Sequence, residues 1–201
     1  MTVDSAQLAA FVPAVLALVG SPGPATLGLA AAGAAFGFRT ARPFLFGLLS
    51  GVALTLVLVG TGVVGALLAH PVVGPLLTAF AACYMVYLAY RIATAAPIGD
   101  TRGSADAPGF VPGFVLAMTN PKAYAVFATL FSGFTVIPDD IVRNALFKGL
   151  LIMGLLTVTD FTWLYVGSAL RHLFRDPRLS RRINVGFAVL LLLSVGFAVY
   201  A

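Results

Sequence analysis

Two proline motifs interrupt long apolar stretches of this chain, about half a chain length apart. Ser-Pro-Gly-Pro begins at Ser21 and Thr-Asn-Pro-Lys begins at Thr119. Each places a residue that favours the helix N-cap before a proline, Ser21 before Pro22 and Asn120 before Pro121, so each predicts a new helix start. The free N–H groups at such starts suit a carboxylate, and the carbonyls of the preceding half-helix suit a cation. A zwitterionic amino acid matches both.

Proline within a helix also removes a backbone donor, so we expect carbonyls without helical partners before each motif. Such carbonyls are tolerated in a membrane only inside the protein or along a wet cavity. Two packing kinks with no ligand are the structural alternative. The affected carbonyls are those of Leu18, Gly20 and Ala117.

Lys122 and Asp160 are charged residues deep within apolar stretches. An uncompensated ammonium there costs several kcal/mol, so Lys122 is expected to attract a substrate carboxylate or to pair with Asp160. A long side chain that reaches the membrane interface is the structural alternative for Lys122. Asp160 is the candidate proton carrier; its structural alternative is a carboxylate bonded to nearby hydroxyls such as that of Thr157. Trp163 and Tyr165 are assigned to the interfacial aromatic belt, outside the site.

The candidate site therefore combines the two motifs with one acidic residue. The sequence indicates no metal ligands and no cofactor. The predicted substrate-binding residues are Ser21, Pro22, Gly23, Pro24, Asn120, Pro121 and Lys122, with Asp160 for proton coupling.

The composition requires a membrane around these residues. Of 201 residues, 60% are hydrophobic and 9% are charged, and the mean hydropathy is +1.02, too apolar for a soluble surface. We expect an all-α integral membrane protein with one domain, residues 1–201, and six transmembrane helices. The apolar stretches are approximately 7–36, 43–69, 72–95, 110–137, 145–170 and 183–200.

A polar linker, residues 97–108, divides the chain into halves of about 1–96 and 109–201. Each half would contain three helices, an odd number, so the second half must be inserted upside down relative to the first. The first and fourth helices would be broken at the proline motifs near the bilayer midplane. The sequence therefore predicts an inverted-repeat transporter.

The basic residues predict the orientation. With six spans, the first, third and fifth connections share one side and hold nine Arg residues, whereas the other side holds Arg143 and Lys148. The positive-inside rule puts the nine Arg residues in the cytoplasm and both termini outside. The net charge of +5 is thereby assigned to topology and anionic lipid rather than to nucleic acid.

Two other classes of protein fit the sequence less well. A membrane enzyme is disfavoured because His70 and His172 lie at predicted helix ends and the single Cys83 forms no cluster. A non-transporting scaffold would not need two midplane breaks or two charged residues in its spans.

Small residues four positions apart predict close helix contacts. Gly33 precedes Gly37, and Gly47 precedes Gly51, at this spacing. Packing within one chain is favoured for these glycines, and a homodimer is left open.

The pattern as a whole resembles the lysine exporter (LysE/RhtB-type) family of bacterial inner-membrane translocators. The resemblance implies export of amino acids or related metabolites from the cytoplasm, driven by the proton gradient, without identifying the substrate. It rests on Ser21-Pro22-Gly23-Pro24, Gly37-Phe38-Arg39, Gly47-Leu48-Leu49-Ser50-Gly51, Tyr87-Leu88-Ala89-Tyr90-Arg91, Thr119-Asn120-Pro121-Lys122-Ala123, and Asp160 with Trp163.

Overall fold

A computed structural model of the chain describes residues 3–62 and 107–170 continuously, with single residues or pairs within 71–94 and 181–193. The two continuous segments hold six helices, and no described residue lies in a strand. The helices are α1 (Ser5–Gly20), α2 (Pro24–Phe36), α3 (Arg42–Gly60), α4 (Phe110–Met118), α5 (Pro121–Gly133) and α6 (Ile141–Ala169).

Two of these helices are long and apolar enough to cross a membrane, namely α3 and α6. Two further spans are formed if each bent pair counts as one: α1 and α2 meet at 56°, and α4 and α5 meet at 55°. The prediction that apolar helices break at both proline motifs is confirmed. The predicted stretches 72–95 and 183–200 and the linker 97–108 lie largely outside the described residues.

Glycines bring helix backbones into direct contact at two crossings. Where α3 meets α4, a Cβ added to Gly47 or Gly113 would collide with the backbone of the facing helix. Where α2 meets α6, the same holds for Gly33 and Gly167. In lipid, where the hydrophobic effect does not drive helices together, such close approach allows the van der Waals contacts that do.

The prediction that Gly33, Gly47 and Gly51 pack within one chain is confirmed, since a Cβ at Gly51 would lie 2.7 Å from the Cβ of Ala117. Gly37 has a different role. It ends α2 with a φ of 82°, a left-handed conformation that glycine adopts without steric cost.

From sequence, Lys148 is counted with Arg143 among the basic residues of the connections outside the cytoplasm. In the structure Lys148 instead lies inside the protein. Its side chain is 1% exposed, and its Nζ donates hydrogen bonds of 2.7 Å to the carbonyls of both Phe131 and Phe134. These bonds satisfy carbonyls at the C-terminal end of α5, which a helix leaves free. Arg143, by contrast, is exposed and pairs with Asp140 at 3.1 Å. The charge of Lys148 therefore fixes the α5–α6 connection.

Candidate binding site between the helix breaks

The Lys122 side chain connects the two breaks. Its Nζ donates hydrogen bonds to the carbonyl of Ser21 at 2.6 Å, to Ser21 Oγ at 2.8 Å and to the carbonyl of Pro22 at 3.4 Å. These three acceptors match the three donors of an ammonium group. Two motifs about half a chain apart in sequence are therefore held together by one residue.

The second break has the predicted local chemistry. Asn120 is the N-cap of α5, where its Oδ1 accepts a hydrogen bond of 3.2 Å from the N–H of Lys122, and Pro121 is the first helical residue. The carbonyl of Met118 accepts from the hydroxyl of Tyr124 at 2.6 Å. This break is stabilised by residues close to it in sequence.

The first break differs from the prediction. α2 begins at Pro24 and not at Pro22, and its N-cap is Gly23 rather than Ser21. The reason is that Pro24 disfavours the helical conformation for the residue before it, so a helix cannot run from Pro22 through Gly23. Ser21 instead ends α1.

A threonine supplies the hydroxyl at this first break. Thr26 Oγ1 accepts a hydrogen bond from the N–H of Gly23 at 2.9 Å and donates to the Gly23 carbonyl at 3.1 Å. Thr26 is 4% exposed, so these bonds lie in the protein interior. The sequence signal for this arrangement is a threonine two residues after a proline at a helix start.

The carbonyls freed by the prolines all find donors. Ser21 Oγ donates to the carbonyl of Leu18 at 2.8 Å, and the N–H of Asn120 donates to that of Ala117 at 3.3 Å. The carbonyl of Gly20 accepts from Trp163 Nε1 at 3.4 Å. The breaks are thus compatible with an apolar environment.

The indole of Trp163, which the sequence assigns to the interfacial belt, reaches the first break. Its position three residues after Asp160 on α6 places both on one helix face, and this was the available signal. Tyr165 is 65% exposed, and its ring centroid lies 6.4 Å from that of Phe38.

Asp160 is buried beside the breaks without an ion pair. It is 2% exposed, and its Oδ2 has no hydrogen-bond partner among the described residues. The hydroxyl of Thr157, the alternative partner, donates to the carbonyl of Met153 at 2.7 Å. No ion pair within 4.0 Å joins Lys122 and Asp160, and the Lys122 ammonium is bonded to Ser21 instead.

A cavity joins these residues. It has a volume of about 40 Å³, which is large enough for a few waters. Its polar lining comes from Gly23, Thr26, Asn120, Lys122 and Asp160.

The cavity contains part of the predicted site. Gly23, Asn120, Lys122 and Asp160 line it, and Ser21 is linked to it through Lys122. The three prolines of the predicted site do not line the cavity. Pro24 and Pro121 are the first residues of their helices, and Pro22 is exposed.

Apolar helices that break beside a shared polar cavity define a class, the membrane transporters with discontinuous spans. The comparison with known families agrees: the model for the LysE type translocator family matches residues 16–201. The chain belongs to this family, which confirms the resemblance seen in its sequence. It is a transporter and not an enzyme.

Curated relatives cover nearly the whole chain. The cysteine/O-acetylserine efflux proteins of Salmonella choleraesuis (strain SC-B67) and Salmonella typhimurium (strain LT2) are each 28% identical to it over 185 residues. These alignments cover 92% of this chain and 93% of each relative. No solved structure shows significant similarity.

Proposed function

We propose that this chain is a proton-coupled exporter of small amino acids that binds its substrate in the cavity between the two helix breaks. The observation that carries the proposal is the Lys122 ammonium, which starts at the second break and is bonded to Ser21 of the first. A ligand that competes for this ammonium would change the contact between the two broken spans.

The substrate carboxylate is the group that competes for Lys122. It would bind the ammonium together with the free N–H groups at the starts of α2 and α5, where helix dipoles favour negative charge. Ser21, Pro22, Gly23 and Pro24 form the first side of this site, and Asn120, Pro121 and Lys122 form the second side. Gly23, Asn120 and Lys122 line the cavity in the structure, and release of Lys122 from Ser21 would widen it and bring the other four residues to the substrate.

Asp160 is the proton carrier in this proposal. Its carboxyl group is buried and lines the same cavity, so a proton bound there would be sensitive to whether substrate is present. Intramembrane carboxyl groups are used in this way in proton-coupled transporters. Coupling requires that the Asp160 carboxyl group binds a proton when the cavity holds no substrate and releases the proton when substrate binds.

The proposed frame is six spans in a single domain, arranged as two inverted three-helix halves. The nearly equal bends of 56° and 55° support matched roles for the two broken spans. Both termini lie outside the cytoplasm, the membrane is the bacterial inner membrane, and its lipid surrounds the exposed apolar side chains. Rocking of one half against the other would expose the cavity to each side in turn.

The substrate is a small amino acid with an uncharged side chain. Among the described residues that line the cavity, Lys122 and Asp160 are the charged ones. In this proposal Lys122 binds the substrate carboxylate and Asp160 binds the proton, which leaves neither of these charged groups for a charged side chain. Cysteine and O-acetylserine, named for the Salmonella relatives, are therefore the first compounds to test.

A metabolite survey of the medium from cells with and without the protein tests this function. Expression should raise extracellular cysteine, O-acetylserine or a similar amino acid and should protect cells loaded with that compound. Asp160→Asn should abolish the effect at equal protein level. The control is Asp140→Asn, which removes the same charge at the exposed start of α6 and keeps an N-cap side chain. Unchanged metabolites in the medium would contradict export, and full export by Asp160→Asn would contradict its role as proton carrier.

A further inference from the structure

We infer that the Asp160 carboxylate is also the binding site for the ammonium group of the substrate, so that substrate and proton occupy the same carboxylate in turn. This inference rests on the proposed function and adds to it the group of the substrate that Asp160 recognises. It makes a free amine a requirement for binding.

The first support is the buried oxygen. Asp160 Oδ2 has no hydrogen-bond partner among the described residues, although Asp160 is 2% exposed and lines the cavity. An unsatisfied buried acceptor is costly and rare in folded proteins, and functional sites are among the exceptions. A donor that enters the cavity would satisfy this oxygen.

The second support is that nearby donors are engaged elsewhere. The Lys122 ammonium is held by Ser21 and Pro22, the Trp163 indole N–H donates to Gly20, and the Thr157 hydroxyl donates to Met153. Each of these groups could have donated a hydrogen bond to a structural carboxylate. Since none of them does, the partner of Asp160 Oδ2 is a proton or a donor that enters the cavity, and the ammonium group of an amino acid is a donor that would also neutralise the carboxylate.

The third support is the charge on the described helices in contact with α6: α1, α2 and α3 pack against it, and Phe131 of α5 accepts a hydrogen bond from its Lys148. α1 and α2 contain no titratable residue, and α3 contains only Arg42, which is exposed and donates to the carbonyl of Arg39. α5 carries Tyr124, whose hydroxyl donates to Met118, and Lys122, which faces the same cavity. Among these described groups Lys122 is therefore the one cation facing Asp160, and it suits the substrate carboxylate, which leaves Asp160 for the ammonium group.

The exchange balances as one proton for one substrate. A zwitterionic amino acid that meets the protonated carboxyl group of Asp160 forms a carboxylate–ammonium pair, and the O–H proton leaves to the water on that side. On the opposite side a proton from the water binds the carboxylate and the amino acid leaves. No other bond is made or broken. Each cycle exports one neutral zwitterion and imports one proton.

A matched pair of isomers tests this inference on the purified full-length protein. O-acetyl-L-serine and N-acetyl-L-serine share composition and carboxylate, but the second has no ammonium group. Titrations should be made at mildly acidic pH, where acyl migration from oxygen to nitrogen is slow. Trp163 is the single tryptophan of the chain and touches the first break, so its fluorescence can report binding, with calorimetry as a second readout.

We expect N-acetyl-L-serine to bind at least about 100-fold more weakly than O-acetyl-L-serine, because it would leave the Asp160 carboxylate buried without a cation. The affinity for O-acetyl-L-serine should fall as the pH is lowered, approaching about tenfold per pH unit, since one proton competes for the site. Asp160→Asn should lose both the preference and the pH dependence. Asp140→Asn should keep both.

Equal binding of the two isomers, or an affinity that does not change with pH, would overturn the inference. Export assays separate this failure from that of the proposed function. If both isomers are exported, the proposed export function is retained and the shared use of the Asp160 carboxylate is wrong. If neither isomer is bound and no amino acid accumulates in the medium, both proposals are wrong. Should Asp160→Asn not fold, the comparison of the isomers on the unmodified protein still decides the inference.

Discussion

The two helix breaks have nearly the same shape and different chemistry. Both bend their apolar helices by about the same angle, 56° and 55°. The first break exposes acceptors, the carbonyls of Ser21 and Pro22, and the second provides the Lys122 ammonium that binds them. The two breaks are therefore similar in bend angle and complementary in hydrogen bonding, since one supplies the acceptors and the other supplies the donor.

The breaks also differ in how they are stabilised. Asn120 and Tyr124, both within a few residues of the second break, satisfy its polar groups. The first break depends in part on another helix, since Trp163 of α6 donates to the carbonyl of Gly20. Movement of α6 would therefore affect the first break directly. We expect substitutions to distinguish the local hydrogen bonds at the second break from the hydrogen bond that α6 donates to the first.

The largest effect is expected for Lys122→Met, which keeps the apolar stem and removes the group that joins the breaks. Loss of its charged hydrogen bonds to Ser21 should lower export by about 100-fold or more. Efflux of O-acetylserine from loaded cells measures this, with detergent-extracted protein checked by size-exclusion chromatography. A variant that folds and exports at the unmodified rate would show that the contact between the breaks has no role in transport.

A smaller effect is expected for Gly23→Ala. The new Cβ would lie 2.8 Å from Lys122 Cδ and 3.1 Å from Nζ, so the lysine must move away from Ser21. Weakening one charged hydrogen bond should reduce export about tenfold. The backbone at Gly23 is fully extended, which alanine also adopts, so stability should be maintained.

Gly20→Ala is the matched control for Gly23→Ala. A Cβ at Gly20 would meet nothing within 4 Å, and the residue lies at the other end of the same break. Its efflux rate should stay close to that of the unmodified protein. Equal losses for the two variants would mean that the first break tolerates no added side chain, whatever the position of Lys122.

The smallest effect is expected for Trp163→Phe, which removes the Nε1–H donor and keeps an aromatic ring. The bond to Gly20 is long at 3.4 Å, so its loss should cost about 1 kcal/mol and reduce export only a few-fold. Thermal unfolding and efflux should both be measured. Tyr165→Phe, which removes a polar atom from an exposed ring of the same helix, should change neither. Equal effects of the two variants would argue against external support of the first break.

The helical membrane class, the two breaks and the N-cap at Asn120 were predictable from sequence because each depends on local properties. Hydropathy is a sum over neighbouring residues, and the conformational limits of proline act within one turn. The exact helix start at the first break was missed because two prolines compete within four residues, and Pro24 excludes the start at Pro22. Lys148 was misplaced because hydropathy does not reveal that two carbonyls at the end of α5 compensate its charge.

The sequence by itself determined that this chain is an all-helical membrane protein of the LysE type translocator family, with breaks at residues 21–24 and 119–122. The tertiary structure alone decided that Lys122 binds Ser21 and not Asp160, and that Trp163 supports the first break. The reason is that a side chain's partner depends on the three-dimensional approach of residues about 100 or more positions apart. Local sequence rules specify which groups need partners, and the packing of α6 beside the two breaks selects which partners they receive.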